Sequence, residues 1–231
     1  MVDRAQLQIS AFDEDGGQVL SPFVLEGHLV RLEPLTADHI DVLAAAAVED
    51  RASYGFTWVP EGLDDTYRYV LEALTQQEAG RSLPWAARRL ADDRVVGTTR
   101  FWDMDVFSWP PPWPPGTGRG PEPSDDRPPS VLEIGSTWFA ASAQRTGINR
   151  EAKLLQLTQA FQAWHVLRVS FSTDARNSTS RRAIEGLGAS FEGIRRLHSP
   201  ARDGTIRDSA YYSITAPEWP AVRSRLLQGQ R

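Results

Sequence analysis

Residues 131–187 switch three times between strand-like and helix-like hydrophobic periods, and few folds accommodate that order. Residues 131–140 read as a strand, 149–165 as an amphipathic helix, 167–173 as a strand and 178–187 as a helix. Parallel neighbours need such a crossover, so this half holds at least one parallel strand pair with helices packed against it. The first half reads differently. Residues 28–35 alternate as a strand, and Pro34 and Thr36 mark a turn into an Ala-rich helix reaching about Glu49. An aromatic loop with Tyr54, Phe56 and Trp58 precedes a helix over 64–79. Residues 84–90 and 95–102 flank the polar turn ADDR as a hairpin, and 191–197 with 209–215 form a closing antiparallel pair. The predicted class is mixed α/β, with a central, mostly antiparallel sheet flanked by helices.

A chain of 231 residues suits one domain with appendages. We place an extension at 1–24, the domain at 25–216 and a short helix or tail at 217–231. Residues 109–129, WPPPWPPGTGRGPEPSDDRPP, cannot be helix or central strand, because proline lacks the amide donor and fixes its own backbone angle. This insertion either shapes acceptor access or a homodimer contact through Trp109 and Trp113, or has no role. No apolar run approaches the roughly 20 residues that cross a bilayer, and acids occupy the start where a secretion signal is hydrophobic, so the expected location is cytoplasmic. Cysteine is absent and four histidines remain, which disfavours a metal site. A net charge of −5 argues against nonspecific nucleic-acid binding.

Chemistry concentrates where the strand LEIGSTWFA passes through ASAQRTGIN into a helix. In that helix Leu154, Leu157, Phe161 and Trp164 share one face, leaving the others to solvent. A loop ending at a helix N-terminus offers free amides and the positive end of the helix dipole, which suits a phosphate. Gly147 permits close backbone approach, Arg145, Arg150 and Lys153 add positive charge, and Glu151 favours the dipole while opposing an anion. The bland alternative is an ordinary strand-turn-helix.

The run QRTGIN at 144–149 resembles the Gln/Arg-x-x-Gly-x-Gly/Ala pyrophosphate loop of the Gcn5-related N-acetyltransferases, with Asn149, a good helix N-cap, replacing the last small residue. The order of EIG, GIN-x-EAK, LRVSFSTDARNSTSRRAIEGLGASFEGIRR and RDSAYYSI is similar to the branch of ribosomal-protein N-terminal acetyltransferases. That resemblance implies one splayed parallel pair, with acetyl-coenzyme A entering between 131–140 and 167–173 as co-substrate. It implies that the backbone of Trp138, Phe139 and Ala140 pairs with the pantetheine arm, that amides of Gln144, Arg145, Thr146, Gly147, Ile148 and Asn149 grip the diphosphate, and that Asn177 touches pantetheine or simply caps a helix. Glu133 resembles the general base, with a solvent-facing edge residue as the alternative. Many relatives use a tyrosine seven residues after the motif asparagine to protonate the leaving thiolate. Here that position is Ile184, and Ser180 matches the serine of the ribosomal-protein-like branch, or is only structural. Tyr211 and Tyr212 are reserves, one in the core and one out. His198 faces the acceptor or the surface, Arg181 or Arg182 meets a phosphate or solvent, and Tyr54, Phe56 and Trp58 wall the acceptor site or belong to the core. The implied activity is acyl transfer to a primary amine, either a protein N-terminus or a small antibiotic or metabolite amine. A coenzyme A-binding sensor without catalysis is the rival.

Overall fold

The computed structural model describes residues 20–107 and 127–228. Most of the insertion, including Trp109 and Trp113, and most of the N-terminal extension lie outside these residues. Strands β1 (Leu25–Glu26) and β2 (Val30–Pro34) are followed by helices α1 (Ile40–Ala47) and α2 (Gly62–Glu78). Then come β3 (Ser82–Arg89), β4 (Arg94–Asp105), β5 (Val131–Phe139), α3 (Ile148–Thr158), β6 (Arg168–Asp174), α4 (Ser178–Leu187), β7 (Ser190–Pro200), β8 (Ile206–Thr215) and α5 (Trp219–Gln228). The eight strands form one sheet in the order β1-β2-β3-β4-β5-β6-β8-β7. Among the described strands only β5 and β6 pair in parallel, as the α3 crossover between them requires. No described helix is long and apolar enough to cross a membrane.

Adjacent residues of β4 show how the helices are layered, because successive side chains point to opposite faces. Thr98 Oγ1 meets Tyr69 of α2 at 2.7 Å, whereas Thr99 Oγ1 meets Lys153 of α3 at the same distance. Helix α2 therefore covers one face and α3 the other. Helix α4 joins α3, since Arg181 and Glu185 both bond the Tyr212 hydroxyl on β8. The α3 side is sealed by an aromatic cluster in which Phe101 packs 5.0 Å from Trp85 and 5.3 Å from Trp164. The helix expected to run to 165 instead widens into a π turn at Gln159–Ala163 and stops at His165, which is left-handed at φ 57°.

Candidate active site

Pairing between β5 and β6 lasts three steps, Val131 with Arg168, Leu132 with Val169 and Glu133 with Ser170. Beyond Glu133 the strands part: β6 stays with β8, and β5 keeps only β4. A bulge drives the separation. Between the pairs Arg100–Gly135 and Thr98–Trp138, β5 uses one residue more than β4, and Ser136 takes φ 44°. Past the bulge the Ala140 amide donates to Val96 O at 2.7 Å, so by alternation the Phe139 amide and carbonyl point away from β4 into the gap. The expectation for Ala140 is thus corrected, because its donor is held within the sheet. Among the predicted trio, Phe139 alone presents its amide to the gap.

The strand then enters a turn in which the amides of Ala143 and Gln144 donate to Ala140 O and Ala141 O. From Arg145 to Arg150 no amide has an acceptor among the described residues. Arg145 at φ 60° and Gly147 at φ 91° are both left-handed, which turns consecutive amides to one side, and residues 145–147 are exposed. Gly147 is the N-cap of α3, and a side chain there would be strained as well as 3.1 Å from Leu29 Cδ1. Free amides, a helix N-terminus and exposure together form a site for a phosphate.

Several neighbours differ from expectation. Asn149 does not cap the helix; Gly147 does, and the Asn149 Oδ1 is buried without a partner. Gln144 folds its side chain onto Phe139 O and Ser53 Oγ, both at 3.0 Å, and its amide is taken by Ala141 O. Arg150 turns from the loop to the last carbonyls of α5, Arg225 O and Leu226 O. The polar residues of α3 are not exposed. Glu151 is buried and accepts the amides of His28, Leu29 and Val30 at 2.9, 2.7 and 3.0 Å. Lys153 is buried beneath the bulge and donates to Thr99 Oγ1, Thr137 Oγ1 and Gln156 Oε1. Burial without an anionic partner pushes its amine well below the ordinary lysine range. Lys153 therefore braces the bulge from within the core and does not reach the loop.

Glu133 sits where the two parallel strands part, and at 4% exposure it is not an edge residue. Its Oε1 accepts the Ser172 hydroxyl at 2.7 Å. Burial pushes the carboxyl above the ordinary range; Ser172 draws it down, Asp103 adds to the rise, and the Trp102 indole and Arg207 oppose it. A carboxyl with a raised pKa at a strand junction can accept a proton near neutral pH. Ser172 was missed in the sequence, although Ser170 and Ser172 alternate with Val169 and Phe171 and so mark a polar face of β6.

The start of α4 lies at the same, C-terminal end of β5 and β6 as the amide-rich loop. Asn177 caps α4 by accepting the Ser180 amide at 3.0 Å, and its Nδ2 donates to Thr57 Oγ1 at 3.3 Å. Ser180 is half-buried, and its hydroxyl has no partner among the described residues. Ile184 packs against the core. Tyr212 is fully buried, while Tyr211 is half-buried and bonds His198 Nε2 at 3.2 Å; His198 Nδ1 meets Ser209 Oγ at 2.9 Å. Arg181 is held by Tyr212 and Ala175 O, leaving Arg182 exposed. Tyr54 belongs to the core, whereas Phe56 and Trp58 are exposed.

Residues 30–190 match the family model described as Acetyltransferase (GNAT) domain. No curated protein matches the chain by sequence. Among solved structures, a GCN5-related N-acetyltransferase from Brucella melitensis is similar at 26% identity and TM-score 0.74, over 91% of this chain and 86% of that one. Two further likenesses are of fold alone. RimJ of Mycobacterium smegmatis, solved in complex with CoA-disulfide, has 20% identity and TM-score 0.69 over 91% of this chain and 96% of its own. The ribosomal-protein-S5-alanine acetyltransferase of Vibrio fischeri has 14% identity and TM-score 0.61 over 85% and 98%.

Proposed function

The chain belongs to the GNAT acetyltransferase family, and on that footing we propose that it moves an acetyl group from acetyl-coenzyme A directly to a primary amine, with Glu133 as general base. The observation that carries this reading is the placement of the buried Glu133 carboxyl at the point where β5 and β6 separate, with the amide-rich loop at the open end of the same gap. Amides of residues 145–149 hold the diphosphate, and the outward amide of Phe139 pairs with the pantetheine arm as an added strand would, its carbonyl being held by Gln144 Nε2. Trp138 lines the arm by side chain, because its amide faces β4. Asn177 keeps the start of α4 at the gap.

Glu133 takes a proton from the incoming ammonium, directly or through water. The freed nitrogen attacks the thioester carbonyl carbon, a C–N bond forms, and the C–S bond breaks as the coenzyme leaves as thiolate, which takes up the remaining extra proton of the nitrogen through water to give the free thiol and a neutral amide. Ser180 hydrogen-bonds the departing sulfur. No residue forms a covalent intermediate. The acceptor we favour is a protein N-terminal amine, whose pKa of about 8 makes it easier to deprotonate than lysine near about 10.4. The fold-level likeness to a ribosomal-protein acetyltransferase supports it. Thiol release from acetyl-coenzyme A across a panel of peptides and small amines tests the reading. Turnover that falls in Glu133→Gln and further in Glu133→Gln with Ser180→Ala supports it; full turnover in the double variant refutes the assignment, and coenzyme binding without turnover of any amine refutes the activity.

A further inference from the structure

Arg100 lies on β4 opposite Gly135, two residues from Trp102, which is opposite Glu133. Residues two apart share a face, so the guanidinium stands on the same side of the sheet as the proposed base. Arg100 is 6% exposed. A guanidinium largely withdrawn from water favours an acceptor, and arginines more exposed than this one find them: Arg88 pairs with Glu33 at 2.6 Å and Arg176 with Asp174 at 2.8 Å. Among the described residues Arg100 has neither a carboxylate within ion-pair distance nor a hydrogen-bond acceptor. Its neighbour is the face of Tyr69, with the guanidinium carbon 5.1 Å from the ring centroid. Tyr69 is fixed there by its hydroxyl, which meets Thr98 Oγ1 at 2.7 Å and donates to Ser136 O at 3.3 Å.

The surface beside Arg100 is shaped by a glycine. A Cβ on Gly135 would lie 2.6 Å from Trp102 Nε1 and 3.4 Å from Glu133 Oε1. The buried Trp102 Nε1 turns to the Glu133 carboxyl, whose pKa it helps draw down. One cationic donor without an acceptor, Arg100, thus borders a floor without a side chain, next to the carboxyl that receives the proton.

We infer that the acceptor amine carries an anionic group, a carboxylate, which pairs with Arg100 while the amine reaches Glu133. The inference rests on the acetyl-transfer reading and narrows it. Diagonal neighbours across an antiparallel pair stand about 7–8 Å apart, which sets amine and carboxylate a few bonds from each other. That spacing fits an amino acid, or a peptide with an acidic side chain beside its N-terminus. A polycationic acceptor would meet Arg100 with like charge.

Matched acceptors test this by thiol release. Phenylalanine is compared with phenylalaninamide, and peptides beginning Ser-Glu with the same peptides beginning Ser-Gln. In the wild type, kcat/KM for the charged member of at least one pair should exceed that of its neutral partner by about tenfold or more. Arg100→Gln should erase the difference without moving KM for acetyl-coenzyme A, and Arg100→Lys should keep part of it. A response of the amino-acid pair identifies a small acceptor; a response of the peptide pair alone identifies an acidic N-terminus. Equal turnover of charged and neutral partners by the wild type overturns the inference without any variant, as does a preference that survives in folded Arg100→Gln. Failure of every acceptor, charged or neutral, to raise thiol release above the acceptor-free rate sinks the acetyl-transfer reading, and this inference with it.

Discussion

The Glu151 carboxylate ties the start of α3 to the β1–β2 turn, and its removal has a cost that can be worked out. Three amides donate to it: Val30, which is fully buried, and His28 and Leu29, which are exposed. A hydrogen bond to a charged group contributes about 1.5–3 kcal/mol when its loss leaves the partner dry. Water can replace the partner at His28 and Leu29 but not at Val30, so Glu151→Ala should destabilise the protein by about 3 kcal/mol. For a chain of this size each kcal/mol moves Tm by about 2–4 °C, so a fall of about 6–12 °C is expected by calorimetry. Glu151→Gln keeps one acceptor oxygen and should lose about half as much. Gly27→Ala supplies an independent check, because the new Cβ would lie 2.5 Å from Glu151 Cδ and force the carboxylate from its amides. A Tm for Glu151→Ala within about 2 °C of wild type would refute the assignment of these bonds as the tie.

Glu133→Gln should lower kcat/KM by about 10²- to 10⁴-fold with KM for acetyl-coenzyme A unchanged in steady-state assays. The same variant has a pH signature. The Glu133 carboxyl has a folded pKa above its unfolded value, so its contribution is full below the unfolded value and lost as pH rises through the folded one. Glutamine stays neutral, and thermal melts should therefore show the variant gaining on wild type as pH rises to neutrality and losing that advantage in acid. Gly97→Ala places a Cβ 2.2 Å from Trp138 O at a φ of 158°, in the β4–β5 pairing beside Phe139. Both Tm and affinity for acetyl-coenzyme A should fall in calorimetry. Asn177→Ala removes the cap bond to the Ser180 amide, worth about 1 kcal/mol, and should lower Tm by about 2–4 °C.

The β-α-β-α order was legible because each segment keeps one hydrophobic period, and α4 occupies the residues expected of it, 178–187. The parallel pair followed from connectivity, and QRTGIN located the loop. What stayed hidden depends on partners far along the chain. A helical reading assigns Glu151, Lys153 and Gln156 to solvent, since nothing nearby accounts for them; their partners are a turn at 28–30 and hydroxyls on β4 and β5. Asn149 looked like a cap by residue type, but the left-handed Gly147 begins the helix first. The burial of Glu133 depends on where β5 leaves β6, which is set by a bulge that the segment LEIGSTWFA does not announce by pattern.

Amide hydrogen exchange with and without acetyl-coenzyme A tests the central claim most directly, because the donors assigned to the coenzyme are specific backbone groups. Phe139 and residues 145–149 should exchange fast in the free protein and slow sharply when the coenzyme is added. Unchanged exchange at those positions, with protection arising elsewhere while thiol release proceeds, would contradict the account.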